Sequence, residues 1–287
     1  MKPITGYTKL ACLLGSPVSH SKSPSMYNEA FSQLNLDYVY LAFDVRPDEL
    51  STVMSSLRIM DVKGLNITMP HKTSACKLCD KLSPAAQIIG SVNAIVNNDG
   101  VFTGHNTDGI GFMRALHEAG CETENKKMTI LGVGGAGTSI FVQAALDGVR
   151  EITIFSRRGD FFQRAEQIIQ QLKEFTSSKI NLYDFEDEQL LKNEIQESSI
   201  LINATSVGMA PNVDNSIITD PSFFHKDLFV SDIIYNPEET KFLRLAREAG
   251  CKTQNGLYML LYQGAEAFKL WTGQEMPVNI IKEKYFS

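Results

Sequence analysis

The sequence predicts an α/β protein of two domains: an N-terminal α/β domain and a Rossmann-type, doubly wound parallel sheet that binds a dinucleotide. Three observations carry this expectation. An apolar run from Met128 to Leu131 breaks into Gly132-Val133-Gly134-Gly135-Ala136-Gly137 and resumes as an apolar segment, Ile140 to Leu146, stopped by Gly148. Gly132, Gly134 and Gly137 hold the G-x-G-x-x-G spacing: the first permits a tight turn, the second lets backbone approach a pyrophosphate, and the third lets helix pack on strand. The helix start then faces an anion. A merely flexible loop would not need the apolar run to end at the first glycine. From Lys126 onward, strand and helix alternate as a parallel sheet with crossover helices requires. Finally, 287 residues exceed a typical single domain.

From the N-terminus, Lys9 to Leu14 reads as a buried strand closed by Gly15-Ser16-Pro17. Val18-Ser19-His20-Ser21-Lys22-Ser23-Pro24 leads into an apolar-periodic helix through Ala30, Phe31 and Leu34. Ser23 before Pro24 fits an N-cap with proline at the first helical position. That reading leaves Ser21 unexplained, and two hydroxyls one residue apart beside a helix N-terminus also make a neutral cradle for a carboxylate. Asp37 to Val45 alternates as a second strand, with Tyr38 and Tyr40 on one face. A helix through Leu50, Val53 and Leu57 follows. Gly64-Leu65-Asn66-Ile67-Thr68-Met69-Pro70-His71-Lys72 is a strand ended by proline, with Asn66 and Thr68 on the same face. The polar loop beyond it is where ligands gather in an α/β sheet. Thr73 to Leu82 is expected as a helix bearing Cys76 and Cys79. Ser91 to Gly104 reads as a hairpin turning at Asp99-Gly100. Asn93, a polar residue in its first apolar strand, either satisfies backbone groups or points into a site. Asp108 precedes a helix of Phe112, Leu116 and Ala119, where it fits a cap.

Past the glycine loop, Ile152 to Phe155 and Ile180 to Tyr183 are strands, with Ile168 to Leu172 on the helix between them. Ile200 to Ala204 is a buried strand running into Thr205-Ser206-Val207-Gly208-Met209. Leu228 to Ile234 is another, ended by Tyr235-Asn236-Pro237 before a helix from Thr240 to Ala249. Both strand ends are expected to rim a cofactor cleft. Gly256 to Trp271 is one long helix carrying Gln263, and a shorter helix follows Pro277. Because a nucleotide domain is complete by residue 255, the long helix is expected to return to the N-terminal domain, with the substrate cleft between the two. The expected boundaries are 1–111, completed by 256–287, for the substrate-binding catalytic domain, and 112–255 for the dinucleotide domain.

A net charge of -6 offers no electrostatic reason for a nucleic-acid or anionic-membrane partner, and an apolar share of 43% is ordinary for a globular protein. No run approaches the length of a membrane span and no leader pattern opens the chain, so a cytoplasmic location is expected. Five dispersed cysteines argue against a disulfide framework. Cys76 and Cys79 form a C-x-x-C without a second ligand pair and read as core-lining thiols; with the histidines also scattered, no metal is expected.

Taken together, Ser19-His20-Ser21-Lys22-Ser23-Pro24, Gly64 through Lys72, Asn93, Asn106-Thr107-Asp108-Gly109, the glycine loop, Asn203 through Met209 and Tyr258-Met259-Leu260-Leu261-Tyr262-Gln263-Gly264-Ala265 resemble the shikimate dehydrogenase family. The likeness is closer still to its quinate/shikimate dehydrogenase branch, and it covers nearly the whole chain. The resemblance implies that Ser21 and Ser23 hold a substrate carboxylate, that Thr68, Asn93, Asp108 and Gln263 bind ring hydroxyls, and that Tyr40 and Tyr235 line the pocket. It also implies a catalytic pair, Lys72 and Asp108. Gly132, Gly134, Gly135, Ala136, Gly137, Ser156, Arg157, Arg158, Thr205 and Gly256 are the expected cofactor-binding residues. Two departures stand out: Ser156 replaces a frequent asparagine, which bears on cofactor choice, and His71 replaces a frequent aromatic residue, which bears on loop packing.

The implied reaction is the reversible reduction of 3-dehydroshikimate to shikimate by a reduced nicotinamide, a step of aromatic amino acid (chorismate) biosynthesis. Quinate is the alternative or second substrate, and a non-catalytic nucleotide-dependent sensor and a dehydrogenase for another substrate, such as a folate derivative, are the remaining rivals. NAD enzymes usually carry an acid at the end of the second nucleotide strand. Here Ser156-Arg157-Arg158-Gly159-Asp160 offers two arginines for the 2′-phosphate of NADP and Asp160 for a ribose. Both NADP and NAD are expected to bind, in a monomer or homodimer.

Overall fold

The computed structural model describes residues 3–286. The chain falls into two compact units, Met1–Thr107 with Leu261–Ser287, and Asp108–Leu260.

In the first unit, β1 (Lys9–Gly15) pairs in parallel with β2 (Tyr38–Asp44) and with β3 (Gly64–Ile67). A short β4 (Lys81–Leu82) and the hairpin of β5 (Ala94–Asn98) and β6 (Val101–His105) complete a six-stranded sheet of order β2-β1-β3-β5-β6-β4, in which β5 runs antiparallel to both neighbours. The hairpin turns where expected: Asp99 and Gly100 both have positive φ, 51° and 85°, as a tight two-residue turn demands. One face carries an aliphatic core of Cys12, Leu14, Leu65 and Ile67 under α2 (Leu50–Ile59). The other carries aromatic rings. Tyr27 and Phe31 of α1 (Ser23–Gln33) stack against Tyr40 and Tyr38 and against Phe268 and Trp271 of the long helix Leu257–Thr272.

Gly64 explains how that helix seats on the sheet. A Cβ there would enter the Trp271 indole, whose Nε1–H donates to the Ile95 carbonyl at 3.0 Å. The small residue on β3 is what lets a buried tryptophan lie flat across the strands.

Three local expectations are corrected. Helix α1 begins at Ser23, with Lys22 in the cap position and in αR geometry, so Ser23 is not the N-cap; the Ser23 N–H instead donates to Ser21 Oγ at 3.2 Å. The helix expected over residues 73–82 is a short α3 (Lys72–Cys76), followed by β4 and by α4 (Pro84–Ile89), which starts with Ser83 as its cap. Asp108 is the first residue of α5 (Asp108–Glu118) and lies in its first turn.

The second unit is a six-stranded, wholly parallel sheet. Its strands are β7 (Lys127–Leu131), β8 (Glu151–Ser156), β9 (Lys179–Asp184), β10 (Ile200–Asn203), β11 (Phe229–Asp232) and a three-residue β12 (Lys252–Gln254) that the sequence reading did not foresee. The spatial order β12-β11-β10-β7-β8-β9 is that of the dinucleotide-binding sheet, with the reversal of winding between β7 and β10. Helices α6 (Gly135–Leu146) and α7 (Asp160–Leu172) follow β7 and β8; α8 (Glu188–Gln196) and α9 (Lys241–Glu248) close a core of Leu131, Phe155, Leu201, Val230 and Phe242. The remaining helices are α10 (Leu257–Thr272) and α11 (Val278–Tyr285).

Gly64→Ala drives a methyl into the Trp271 ring and is expected to cost about 1–3 kcal/mol of stability. Gly6→Ala, at a position with nothing within 4 Å, should be close to neutral. Urea midpoints of the two variants check this, and equal midpoints would refute the packing argument.

Candidate active site

In the first unit the polar side chains singled out in the sequence gather at the ends of β1 and β3 and around Asn93, just before β5. The Asn93 side chain is buried and its Oδ1 accepts the Thr107 N–H at 2.7 Å, while its Nδ2 donates to Thr107 Oγ1 at 3.0 Å and to Gln263 Oε1 at 3.2 Å. Thr107 Oγ1 in turn donates to the Gln263 carbonyl at 3.0 Å. The Asn93 backbone is equally committed. Its carbonyl accepts the Ile67 N–H at 2.9 Å and Asn66 Nδ2 at 3.2 Å, and its N–H donates to the His105 carbonyl at 3.0 Å. Next door, the Val92 N–H donates to the Lys72 carbonyl at 3.0 Å, which fixes the first residue of α3.

Asn66 extends this assembly to Tyr40, whose hydroxyl donates to Asn66 Oδ1 at 2.7 Å. Burial, with Tyr27 and Cys12 beside it, holds the Tyr40 phenol well above its ordinary pKa, so it stays a neutral donor; the nearby Ser23 hydroxyl offsets part of this. Ser21, Ser23, Thr68 and Lys72 are half-buried around the same strand ends. The loop carrying Thr68 and Lys72 is pinned from beneath by His71, a buried ring whose Nε2 lies 2.7 Å from the Val45 carbonyl. A carbonyl only accepts, so this nitrogen carries the proton.

In the second unit Gly132 has φ +103°, a left-handed conformation open chiefly to glycine. A Cβ at Gly137 would run into the Gly132 carbonyl, so helix and strand meet there without a side chain. Above Gly134 and Gly135 a Cβ would find nothing within 4 Å, and no side chain caps the start of α6. An open approach to uncapped N–H groups fits a pyrophosphate. At the end of β8, Ser156 is buried and Arg157 is exposed with no ion pair or side-chain hydrogen bond among the described residues. Arg158 is otherwise engaged: its Nε lies 3.1 Å from Asp184 Oδ2 and its guanidinium lies over the Phe162 ring at 4.9 Å.

The ends of β10 and β11 are joined by Asn203, which opens the motif running to Met209, and by Asp232 and Thr240, to which the sequence reading assigns no role. Asp232 Oδ1 accepts Asn203 Nδ2 at 3.1 Å and the Ile234 N–H at 3.0 Å, and Oδ2 accepts the Thr240 hydroxyl at 2.7 Å. Asn203 Oδ1 takes the Thr205 N–H at 3.1 Å and its hydroxyl at 2.7 Å. One buried carboxyl thus orders the loops that carry Thr205 and Tyr235. Gly256 is clamped alongside, its N–H 3.0 Å from the Ile234 carbonyl, with the Ile233 carbonyl leaving no room for a Cβ. Burial pushes the Asp232 carboxyl up to about 6, against the pull of its three donors. The signal was present in the sequence as an aspartate inside an apolar run, Phe229 to Ile234. Asn66 is expected to share a strand face with Thr68, and Thr107 lies within the Asn106-Thr107-Asp108-Gly109 motif. The described residues hold no group of three or more His, Cys, Asp or Glu side chains placed to bind a metal. Cys79 donates to the Ala75 carbonyl, and burial pushes its thiol up to about 12, as befits a packing residue.

Comparison with known proteins identifies the family. Residues 13–95 match the shikimate dehydrogenase substrate binding domain, and residues 256–284 the shikimate 5′-dehydrogenase C-terminal domain. A shikimate dehydrogenase (NADP(+)) of Listeria monocytogenes is 52% identical over 283 residues, covering 99% of this chain and 97% of the relative. The crystal structure of shikimate 5-dehydrogenase from Listeria monocytogenes in complex with shikimate and NAD superposes with a TM-score of 0.95 at 51% identity, covering 99% of this chain and 98% of that one. Quinate dehydrogenase from Corynebacterium glutamicum in complex with NAD matches with a TM-score of 0.85 at 28% identity, over 97% of this chain and 99% of that one.

A carboxyl near 6 in the folded chain and about 3.9 unfolded binds its proton more tightly when folded, so its contribution to stability is full below about pH 4 and lost as pH rises through about 6. The span is of order 3 kcal/mol. Asp232→Asn cannot ionise, so the stability difference between natural and variant chains is expected to change across that window, measured by urea unfolding at closely spaced pH. A constant difference from pH 4 to 7 would contradict the assignment.

Proposed function

The chain belongs to the shikimate dehydrogenase family, and on that premise we propose that it catalyses the reversible, NAD(P)-dependent reduction of 3-dehydroshikimate to shikimate. The observation that carries the reading is the Asn93 assembly, a buried carboxamide and hydroxyl framework shared by strand ends, Thr107 and Gln263. The proposed domain roles are substrate binding and catalysis for 1–111 with 256–287, and cofactor binding for 112–255.

Ser21 and Ser23 offer hydroxyls beside the N-terminus of α1 for the substrate carboxylate, with Tyr40 behind them. Thr68, Asn93, Asp108 and Gln263 are assigned to ring hydroxyls, and Tyr235 to the pocket wall. Gly132, Gly134, Gly135, Ala136 and Gly137 would hold the pyrophosphate, with Ser156, Thr205 and Gly256 completing the cofactor site. Of the two arginines after β8, Arg157 is the one presented to a 2′-phosphate. When bound, a reduced nicotinamide supplies the hydride.

As the ketone is reduced its oxygen gains charge, which must be met by a proton or a positive group as it develops. The Lys72 ammonium supplies both, donating its proton in reduction and recovering it in oxidation. Asp108 orients Lys72 and bonds the neighbouring hydroxyl. The support for this pairing is in the backbone: Val92 holds Lys72 and Asn93 holds Thr107, so consecutive residues anchor Lys72 and the residue before Asp108.

NADP and NAD are both assigned as cofactors. Quinate is the second substrate, favoured by the likeness to a quinate dehydrogenase; its extra hydroxyl beside the carboxylate finds room between two small serines. No described helix is long and apolar enough to cross a membrane. A cytoplasmic location and a monomer or homodimer belong to the same proposal.

Absorbance of reduced nicotinamide, followed with shikimate and quinate against NAD and NADP, is expected to show turnover with both cofactors and higher kcat/KM on shikimate. Failure to oxidise shikimate with either cofactor would overturn the reading. Lys72→Ala should lose about 10²- to 10⁴-fold, chiefly in turnover because the carboxylate cradle is intact. Asp108→Asn should also be impaired, with the double variant much less than additive. Near-normal turnover of Lys72→Ala would rule out its role.

A further inference from the structure

We propose that Asp184 sets the nucleotide preference of the second unit by withholding Arg158 from the 2′-phosphate of the cofactor's adenosine. The inference rests on the dinucleotide-binding reading of β7 and α6 and goes beyond it in naming the residue that weighs NADP against NAD.

The end of β8 lacks the acid that usually meets an adenosine ribose in NAD enzymes, and two arginines follow it. By composition this is a phosphate-binding turn. The structure gives the acid another source. β9 lies beside β8 in register, with Asp184 opposite Ser156, so a carboxylate from the neighbouring strand reaches the same strand end. Its side chain is only 18% exposed, and its Oδ1 accepts the Glu186 N–H at 3.2 Å, so its direction is set by the turn that ends β9. Arg158, 73% exposed at its side chain, is drawn to it at 3.1 Å and laid against Phe162, a buried residue of α7.

Two effects follow. The Arg158 guanidinium is occupied along one edge by a carboxylate and over one face by a ring, so it offers a phosphate fewer of its donors in fewer orientations. The Asp184 charge also opposes a phosphate dianion placed beside it. Neither effect acts on NAD, whose ribose carries a hydroxyl at that carbon. Arg157 is left as the cation that favours NADP, and Asp184 as the counterweight that keeps NAD competitive.

Calorimetric Kd values for NADP+ and NAD+, measured without substrate, test the assignment. Asp184→Asn is expected to tighten NADP+ by about three- to ten-fold and to leave NAD+ within about two-fold. Arg158→Ala alone should leave NADP+ within about two-fold, whereas the same change added to Asp184→Asn should cancel the gain. Arg157→Ala should weaken NADP+ by about ten-fold with NAD+ unchanged. A merely structural role for Asp184 would shift both nucleotides together. An unchanged NADP+/NAD+ ratio in Asp184→Asn overturns the proposal, as does a loss in Arg158→Ala equal to that in Arg157→Ala. Where the Asp184 variant fails to fold, Arg158→Ala, a change at an exposed side chain, still overturns the proposal if it loses as much NADP+ affinity as Arg157→Ala. A natural protein that binds neither nucleotide would instead overturn the dinucleotide reading itself.

Discussion

The first unit depends on the hydrogen bonds of one residue, Asn93. Its side chain and backbone take partners from the end of β3, the end of β6, the residue before α5 and the helix that carries Gln263. A buried amide left unpaired costs about 1–3 kcal/mol for each missing bond. A side chain with both ends satisfied therefore holds several separate segments in one arrangement. The segments it joins are those bearing the residues proposed to bind substrate, so the proposed site forms where a polar group inside an apolar sheet is satisfied. Lys72 belongs to the same arrangement through Val92, whose N–H fixes its carbonyl.

A similar solution recurs in the second unit. There Asp232, buried at the end of β11, collects donors from β10, from the second residue past its own strand and from the cap of α9. In both units a polar residue within an apolar strand region orders loops at the carboxyl ends of parallel strands. Those ends are where successive connections converge in α/β sheets, and where ligands bind. The two residues differ in chemistry. Asn93 is neutral and indifferent to pH, while burial holds the Asp232 carboxyl up at about 6 against the pull of its donors.

What the sequence revealed and what it hid divide by range. The glycine loop was legible because its constraints are local: a positive φ at Gly132 and a close approach at Gly137 are properties of a few consecutive residues. The hairpin at Asp99-Gly100 was legible for the same reason. Ser23 as a cap failed because the helical bonds begin one residue earlier, with the Met26 N–H donating to the Lys22 carbonyl, and Ser23 is already the first helical residue, its own N–H taken by Ser21 Oγ. Helix α4 and strand β12 are too short for periodicity to register. Asp232 with Asn203, and Arg158 with Asp184, join residues from different strands, so no local window contains both partners. The family resemblance supplied the roles of Lys72, Asp108 and Gln263; the spacing of residues did not.

Asn93 is the residue that holds the proposed substrate site in register, and kcat/KM for shikimate oxidation by Asn93→Asp tests this most directly. The carboxylate keeps the acceptor for the Thr107 N–H but loses the donor to Gln263 and Thr107 Oγ1. Two lost buried bonds predict a fall of about 10²-fold or more, with the Kd for NADP+ unchanged because the second unit is untouched. A variant within about three-fold of the natural chain, equivalent to less than one such bond, would contradict it.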